Sequence, residues 1–543
     1  MGSDVPTTDE LMKTTLLLTL TLALPATAQD PSCGNWSAGP DVIVGNLTDL
    51  GHYGAVGAVS AYSIGTDACN FGDAPLVWQE GNNQHPVIAQ HMYRYEDGRF
   101  EQLGISWLKH GFGALAQNTC CTCQNPNDLA LLGVGCSDPY TSDLNGDQDG
   151  WFGGFWGGLG PRSEVNPSTG DFPWPYTTMG QSGDNIYKRL QVQTSDMDPN
   201  LHADALYFAE GHYVTPHDAA AGNQHNNASH REVRTNTFAN NQWVLEFASP
   251  TTQMRSAIYA WQAIDPGVTL SVVDDDGRMI LGSNATDNGD GTWSYEYALY
   301  NMNSDRSIGA IFISYSDGTT PTDLGFHDVE HREDPWSVDD WTPVISAGDI
   351  SWSTDSYSVN PDANAIRWGT LYNFRFTCDT APTNGPVYAS PFKPGTGIVW
   401  TFDAQVPGSA SGCDAQPYCA VNTNSTGSAA SLTNGGSTSI STDDLVLNAG
   451  PVPDQPGLFY YGPNQIEVPF GDGYRCIGGT VRRLPVSFAS QGNLSRAVDY
   501  SANYASGFIT AGSSWNFQAW FRDPAANGAT FNLSNGLHIT FCP

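Results

Sequence analysis

The sequence predicts a mainly β chain. It reads as tandem β-sandwich-like domains with disulfides, led by an N-terminal domain that is β-rich with long loops and little helix. Three observations predict this. Short apolar-alternating runs recur along the chain, and period-two alternation marks half-buried strands. The 543 residues include 58 Gly and 34 Pro, which punctuate strands with turns and leave little room for helix. There are 11 Cys, grouped as expected for bridges in an oxidising compartment.

The first element is a leader at 1–28. Lys13 precedes a short apolar core at 16–24, and Ala26-Thr27-Ala28 supplies a small-residue cleavage site. Together these have the form of a secretory signal peptide, with Met12 as the natural start and 1–10 as an upstream extension. The apolar run is far below the ~20 residues of a membrane span, so no transmembrane segment is expected in the mature chain. The expected location is secreted or cell surface.

Residues 29–240 form a Gly-, Trp- and His-rich N-terminal domain containing six Cys. Spacing at 105–115 suggests one helix, which Gly111 and Gly113 weaken. Residues 241–403 form a strand-rich, sandwich-like domain. Its runs at 242–247, 293–300, 370–377 and 398–402 alternate, and Asp290-Gly291 is a hairpin turn. Residues 404–443 are a Ser/Gly/Thr-rich linker and the start of a third domain. Residues 444–543 are a C-terminal β domain, with a strand at 444–447. An odd Cys count leaves at least one Cys without a partner in the chain, and spacing does not set the pairing.

Charge narrows the partners. Acids number 56 against 21 Lys and Arg, a formal charge of −35. Such a field repels phosphate backbones, so nucleic acid is excluded as a partner. It tolerates cations and neutral sugars.

Several segments resemble modules recurrent in large secreted proteins of planctomycete-type bacteria. The runs YEYALYNMNSDR (295–306) and ANAIRWGTLYNFRF (363–376), with Phe392-Lys393-Pro394-Gly395, resemble one β module. PGLFYYG (456–462), PFGDGYRC (469–476) and SWNFQAWFRD (514–523), with the terminal TFCP, resemble another. Residues 83–110 resemble the amino-terminal part of the same group. The resemblance implies export and β architecture. It carries over no catalytic residue.

Candidate chemistry lies in four places. His85, His110 and His327 each neighbour apolar residues. Neutral imidazoles ligate copper or zinc, and three that converge would leave a position open for water or substrate. Separate hydrogen-bonded structural histidines is the competing reading, and His91 is an alternative member. His202, His212, His217, His225 and His230 sit in polar sequence and read as solvated loop histidines. His327 to His331 matches H-x-x-E-H, but its flanks forbid a helix, and extended histidines four apart stand ~13 Å from each other. Asp143, Asn145, Asp147 and Asp149 alternate and close on Gly150, the spacing of a calcium loop or of an ordinary acidic turn. Trp151, Trp156 and Trp174 lie on Gly/Pro-rich loops and suit contact with a ligand. No G-x-S-x-G elbow, P-loop or dinucleotide fingerprint is present.

Two function classes fit. One is a secreted, cell-surface or matrix protein that binds an extracellular polymer or glycan and is stabilised by calcium. The other is a secreted transition-metal enzyme, a hydrolase or oxidoreductase acting on such a polymer through a histidine-ligated site. The absence of a complete catalytic motif favours the first.

Overall fold

The computed structural model describes residues 33–543, apart from 316–318, 347, 396–398, 409–414, 441, 511–512, 527 and 542–543. The leader lies outside the described residues, as do Cys413 and Cys542. Strands dominate, and the sheets are antiparallel. Helix among the described residues is confined to Ser142–Asn145, Pro216–Ala221 and Ile258–Ile264, with short 3-10 turns at Arg162–Glu164 and Thr194–Met197. No described helix is long and apolar enough to cross a membrane.

Two large sheets, with a two-stranded ribbon of Leu76–Val77 and Leu131–Leu132, build the first unit. In one, Val59–Asn70 lies between Val42–Val56 and Leu190–Gln193, and Ser137–Tyr140 also pairs with it. The second is seven-stranded, in the order Gln242–Phe247, Ala228–Ala239, Leu206–Val214, Val87–Glu96, Leu108–His110, Leu159–Gly160, with Arg99–Ile105 also paired to Val87–Glu96. The strand Gln242–Phe247 therefore carries the first unit's sheet past residue 240. Val42, Leu47, Tyr62 and Ile64 pack against Ile88, Met92, Ala209 and Tyr213 to fill the space between the sheets. Val59–Asn70 is buried along its whole length, the mark of a strand covered on both faces.

The segment 105–115 is not a helix. Val87 and Ile88 pair with His110 and Lys109, so the apolar residues there serve strand pairing. Cross-strand partners outweigh a helical spacing interrupted by two glycines.

The second unit is a sandwich of two five-stranded sheets. One is centred on Trp293–Asn301, between Arg278–Asp287 and Thr370–Cys378. The other is centred on Ile308–Ser314, between Asp349–Ser353 and Pro382–Pro391. Tyr295, Tyr297, Ile311, Trp352 and Phe374 share its core. In the third unit Ser514–Arg522 lies between Pro456–Gly462 and Phe531–Thr540. A three-stranded sheet of Ser431–Gly435, Val446–Gly450 and Leu494–Ala497 closes over one face.

The described disulfides are Cys33–Cys121, Cys69–Cys120, Cys123–Cys136 and Cys419–Cys476. The six cysteines of the first unit thus pair among themselves. Cys378 is a free, buried thiol.

Candidate functional site

The site assembles at one end of the seven-stranded sheet. Leu108–His110 is a short strand pinned between Val87–Glu96 and Leu159–Gly160. Its backbone brings His110 beside His85, which just precedes Val87. The two rings are hydrogen-bonded, His85 Nε2 to His110 Nδ1, at 2.9 Å, and both are buried. His85 Nδ1 lies 3.0 Å from the Gln79 carbonyl. A carbonyl only accepts, so His85 Nδ1 carries the proton and Nε2 accepts from His110 Nδ1–H. Both nitrogens of His85 are engaged, and the free lone pair of the relay falls on His110 Nε2. Burial pushes His85 down to about 4 and His110 well below the usual histidine range. Both imidazoles are neutral at pH 7.

Aromatic rings cap this pair. Tyr176 stacks on His110 at 3.9 Å between centroids, and Trp174 meets His85 edge-on at 5.3 Å. Phe172 fills the remaining side. Gly160 leaves room for the relay, since a Cβ there would stand 2.5 Å from His110 Nε2.

Lys109 points into the layer above. Its ammonium is wholly buried and makes no hydrogen bond among the described residues. It faces the Phe112 ring at 5.3 Å. Burial lowers it to about 8, with Asp147 opposing. For a fully buried amine that shift corresponds to about 3 kcal/mol at neutral pH. Gly157, at φ +81°, passes over the ammonium where a side chain would collide with it. Lys188 lies nearby and donates to the carbonyls of Gln148, Thr178 and Gln181.

The acidic segment forms the rim. Asn145 is buried, and its amide donates to Ile64 O and Thr66 Oγ1. Asp147 acts electrostatically on Lys109 and Arg189, and Asp149 on Lys188 and Arg189. These carboxylates therefore offset the cations beneath them, while Asp143 is exposed. Among the described residues no group of three or more His, Cys, Asp or Glu is arranged to hold a metal ion.

The outermost layer is the loop at 151–158. Trp151, Phe152 and Phe155 are 55%, 76% and 45% exposed. Trp156 is half-buried and meets Phe152 edge-on at 4.7 Å. Trp151 leans on Phe112 at 6.0 Å. The loop turns through left-handed backbone at Phe152, Gly153 and Gly154, which aims the rings outward.

The structure thus collects His85, His110, Trp151, Trp156, Trp174 and the acidic segment at one end of the first unit. His327 is elsewhere. Its Nε2 lies 3.2 Å from the Gln102 carbonyl, and Gln102 pairs with Tyr93. His110 pairs with Val87, six positions back along the same strand, or ~20 Å at 3.3 Å per residue. His331 is also buried, bonded to Tyr372 Oη at 2.8 Å. The five histidines between 202 and 230 are not alike: only His202 and His225 lie in turns. His212 and His230 lie on paired strands and are buried, and His202, His217 and His225 are half-buried.

The residue that sequence reasoning missed is Glu210. It is wholly buried where the first two units meet. Its Oε1 accepts from His91 Nδ1 at 2.6 Å, Tyr300 Oη at 3.0 Å and Tyr93 Oη at 3.3 Å, and its Oε2 accepts from the Ala257 N–H. Burial raises the carboxyl and lowers His91. Around it Phe100 and Phe208 pack with Trp261, Ile280 and Leu371. The available signal was an acid inside the apolar run at 206–214, since an unpaired buried acid is rare.

No protein-family model matches this chain, and no curated protein matches it. Among solved structures it is similar to a serine-rich repeat adhesion glycoprotein of Streptococcus agalactiae. The identity is 9%, covering 64% of this chain and 88% of that one, at a TM-score of 0.16.

Proposed function

We propose that this is a secreted or cell-surface protein that binds an extracellular neutral polymer or glycan through the rings at 151–155. The observation that carries the reading is the exposure of Trp151, Phe152 and Phe155 on one loop. Contiguous exposed rings are costly in water and mark a contact surface. Flat faces suit the apolar faces of sugar rings. The layer beneath is rigid, with neutral imidazoles and stacked aromatics, so the rings are held rather than collapsed. The disulfides support export, because such bonds persist in oxidising compartments. The formal charge of −35 favours an uncharged ligand over an anionic polymer.

The test is co-sedimentation of the full chain with insoluble cellulose, chitin, xylan and peptidoglycan. The expected result is retention on at least one, reversed by its soluble fragments and lost in Trp151→Ser/Phe152→Ser. Retention of that double variant at the parent level, or retention on none of the four, overturns the reading.

A further inference from the structure

We infer that the C-terminal unit carries a second binding site, for a small aromatic carboxylate. The evidence begins with strand periodicity. In Pro456–Gly462, Phe459 and Tyr461 point into the core beneath the three-stranded sheet. Leu458 and Tyr460 therefore point to the opposite face. Trp520 and Phe531, on neighbouring strands, point there too, and all four belong to a separate apolar cluster. An antiparallel sheet covered on one face ordinarily presents polar residues on the other. Here the second face carries Leu458, Tyr460, Trp520 and Phe531 beside the buried Asn516 and Gln518, an apolar patch large enough to need a cover.

The cover is partial. The hairpin of Asn464–Phe470 and Gly473–Gly478 folds over one side. It leaves a cleft of about 510 Å³, within the range of small-molecule sites. Trp520 and Phe531 rings lie 5.5 Å apart, and Phe470 extends the wall at 5.2 Å from Phe531. Such a wall suits a planar apolar body.

Charge identifies the other end of the ligand. Arg475 and Arg483 also line the cleft. Neither forms an ion pair among the described residues, and Arg475 spends its Nε–H on the Ile477 carbonyl. Residues 415–543 contain five Arg, no Lys and seven acids, so this region is nearly balanced within a strongly acidic chain. Two guanidiniums beside one apolar cleft complement a carboxylate, which each can bind through paired N–H donors. The occupant is an aromatic ring system of one or two rings bearing a single carboxylate. This rests on a different unit from the polymer-binding loop and does not depend on it.

Isothermal titration of the full chain with 2-naphthoate tests the inference, with 2-naphthalenemethanol as the neutral isostere. Naphthoate is expected to bind at one site at least tenfold more tightly than the alcohol. Arg483→Gln and Arg475→Gln should each weaken naphthoate about tenfold and leave the alcohol unchanged. Phe470→Ala, at a half-exposed position, should weaken both ligands while leaving the melting temperature in place. No naphthoate binding, equal affinity for acid and alcohol, or arginine variants that bind naphthoate like the parent would each overturn it.

Discussion

The two ring-lined surfaces of this protein are built in opposite ways. At 151–155 the rings stand on a loop with left-handed backbone, and below it Asp147 and Asp149 act at a distance on Lys109, Lys188 and Arg189. In the C-terminal unit the rings stand on paired strands, and two arginines beside the cleft have no carboxylate partner among the described residues. The first surface is exposed to solvent. It suits an extended neutral chain that is gripped at several points. The second is concave and cationic, and suits one compact anion. On the two proposals above, similar residues would serve different recognition because one set is mounted on a loop and the other on a sheet face.

Four outcomes would sharpen or break that comparison. The largest concerns one disulfide from each unit. Cys419–Cys476 ties down the hairpin that walls the cleft, and Cys123–Cys136 ties a loop of the first unit. Their sequence separations are 57 and 13, so chain-entropy reasoning puts their loss at about 4 and about 3 kcal/mol. Urea melts of the paired Cys→Ser variants should show that order. The reverse order would mean that loop-closure entropy does not set the two contributions.

Acid should act on the loop end. The folded pKa of His85, about 4, lies below its unfolded value of 6.5. The unfolded chain takes the proton first, so this contribution is complete above pH 6.5 and is lost as pH falls to 4. It is worth about 3 kcal/mol. Asp334, raised from 3.8 to about 6, works the other way, its contribution being complete below 3.8 and fading as pH rises. The difference between parent and His85→Asn isolates the histidine. It should widen on going from pH 4 to 6.5, and a flat difference would show that the relay titrates normally.

Next is the loop itself. Trp151→Ser/Phe152→Ser should weaken polymer retention about a hundredfold, yet shift unfolding by no more than about 0.5 kcal/mol, as exposed positions do. A large stability loss would mean the rings belong to the core. The smallest effect is a crossed control. Phe470→Ala should leave polymer retention unchanged, and any loss there would merge the two surfaces into one.

Much of the fold was readable because alternation survives in the sequence. The expected strands at 242–247, 293–300 and 370–377 are all present. The 105–115 helix was misread because a short run of apolar residues fits both periods, and only its partners at Val87 and Ile88 decide between them. His212 and His230 looked solvated because their neighbours in sequence are polar. His212 is covered by Ala89 and Trp368, far away along the chain, and His230 by Glu210, Thr252 and Arg255, which only strand pairing brings beside it. The His85–His110 contact was legible as a pair of apolar-flanked imidazoles, but the separation of His327 from them was not. It depends on where each pairs along a single strand. In the C-terminal unit the signal was present in full: PGLFYYG is apolar in both registers, which a one-sided sheet does not need.

Glu210 has a mechanical consequence. Its four donors come from the first unit, the second unit and the segment that joins them, so cutting the chain between 248 and 256 would strand buried groups in both fragments. Neither fragment should be soluble alone. In the intact molecule these bonds tie the first two units to each other, so a pull applied at the loop end would be handed on to the sandwich as tension.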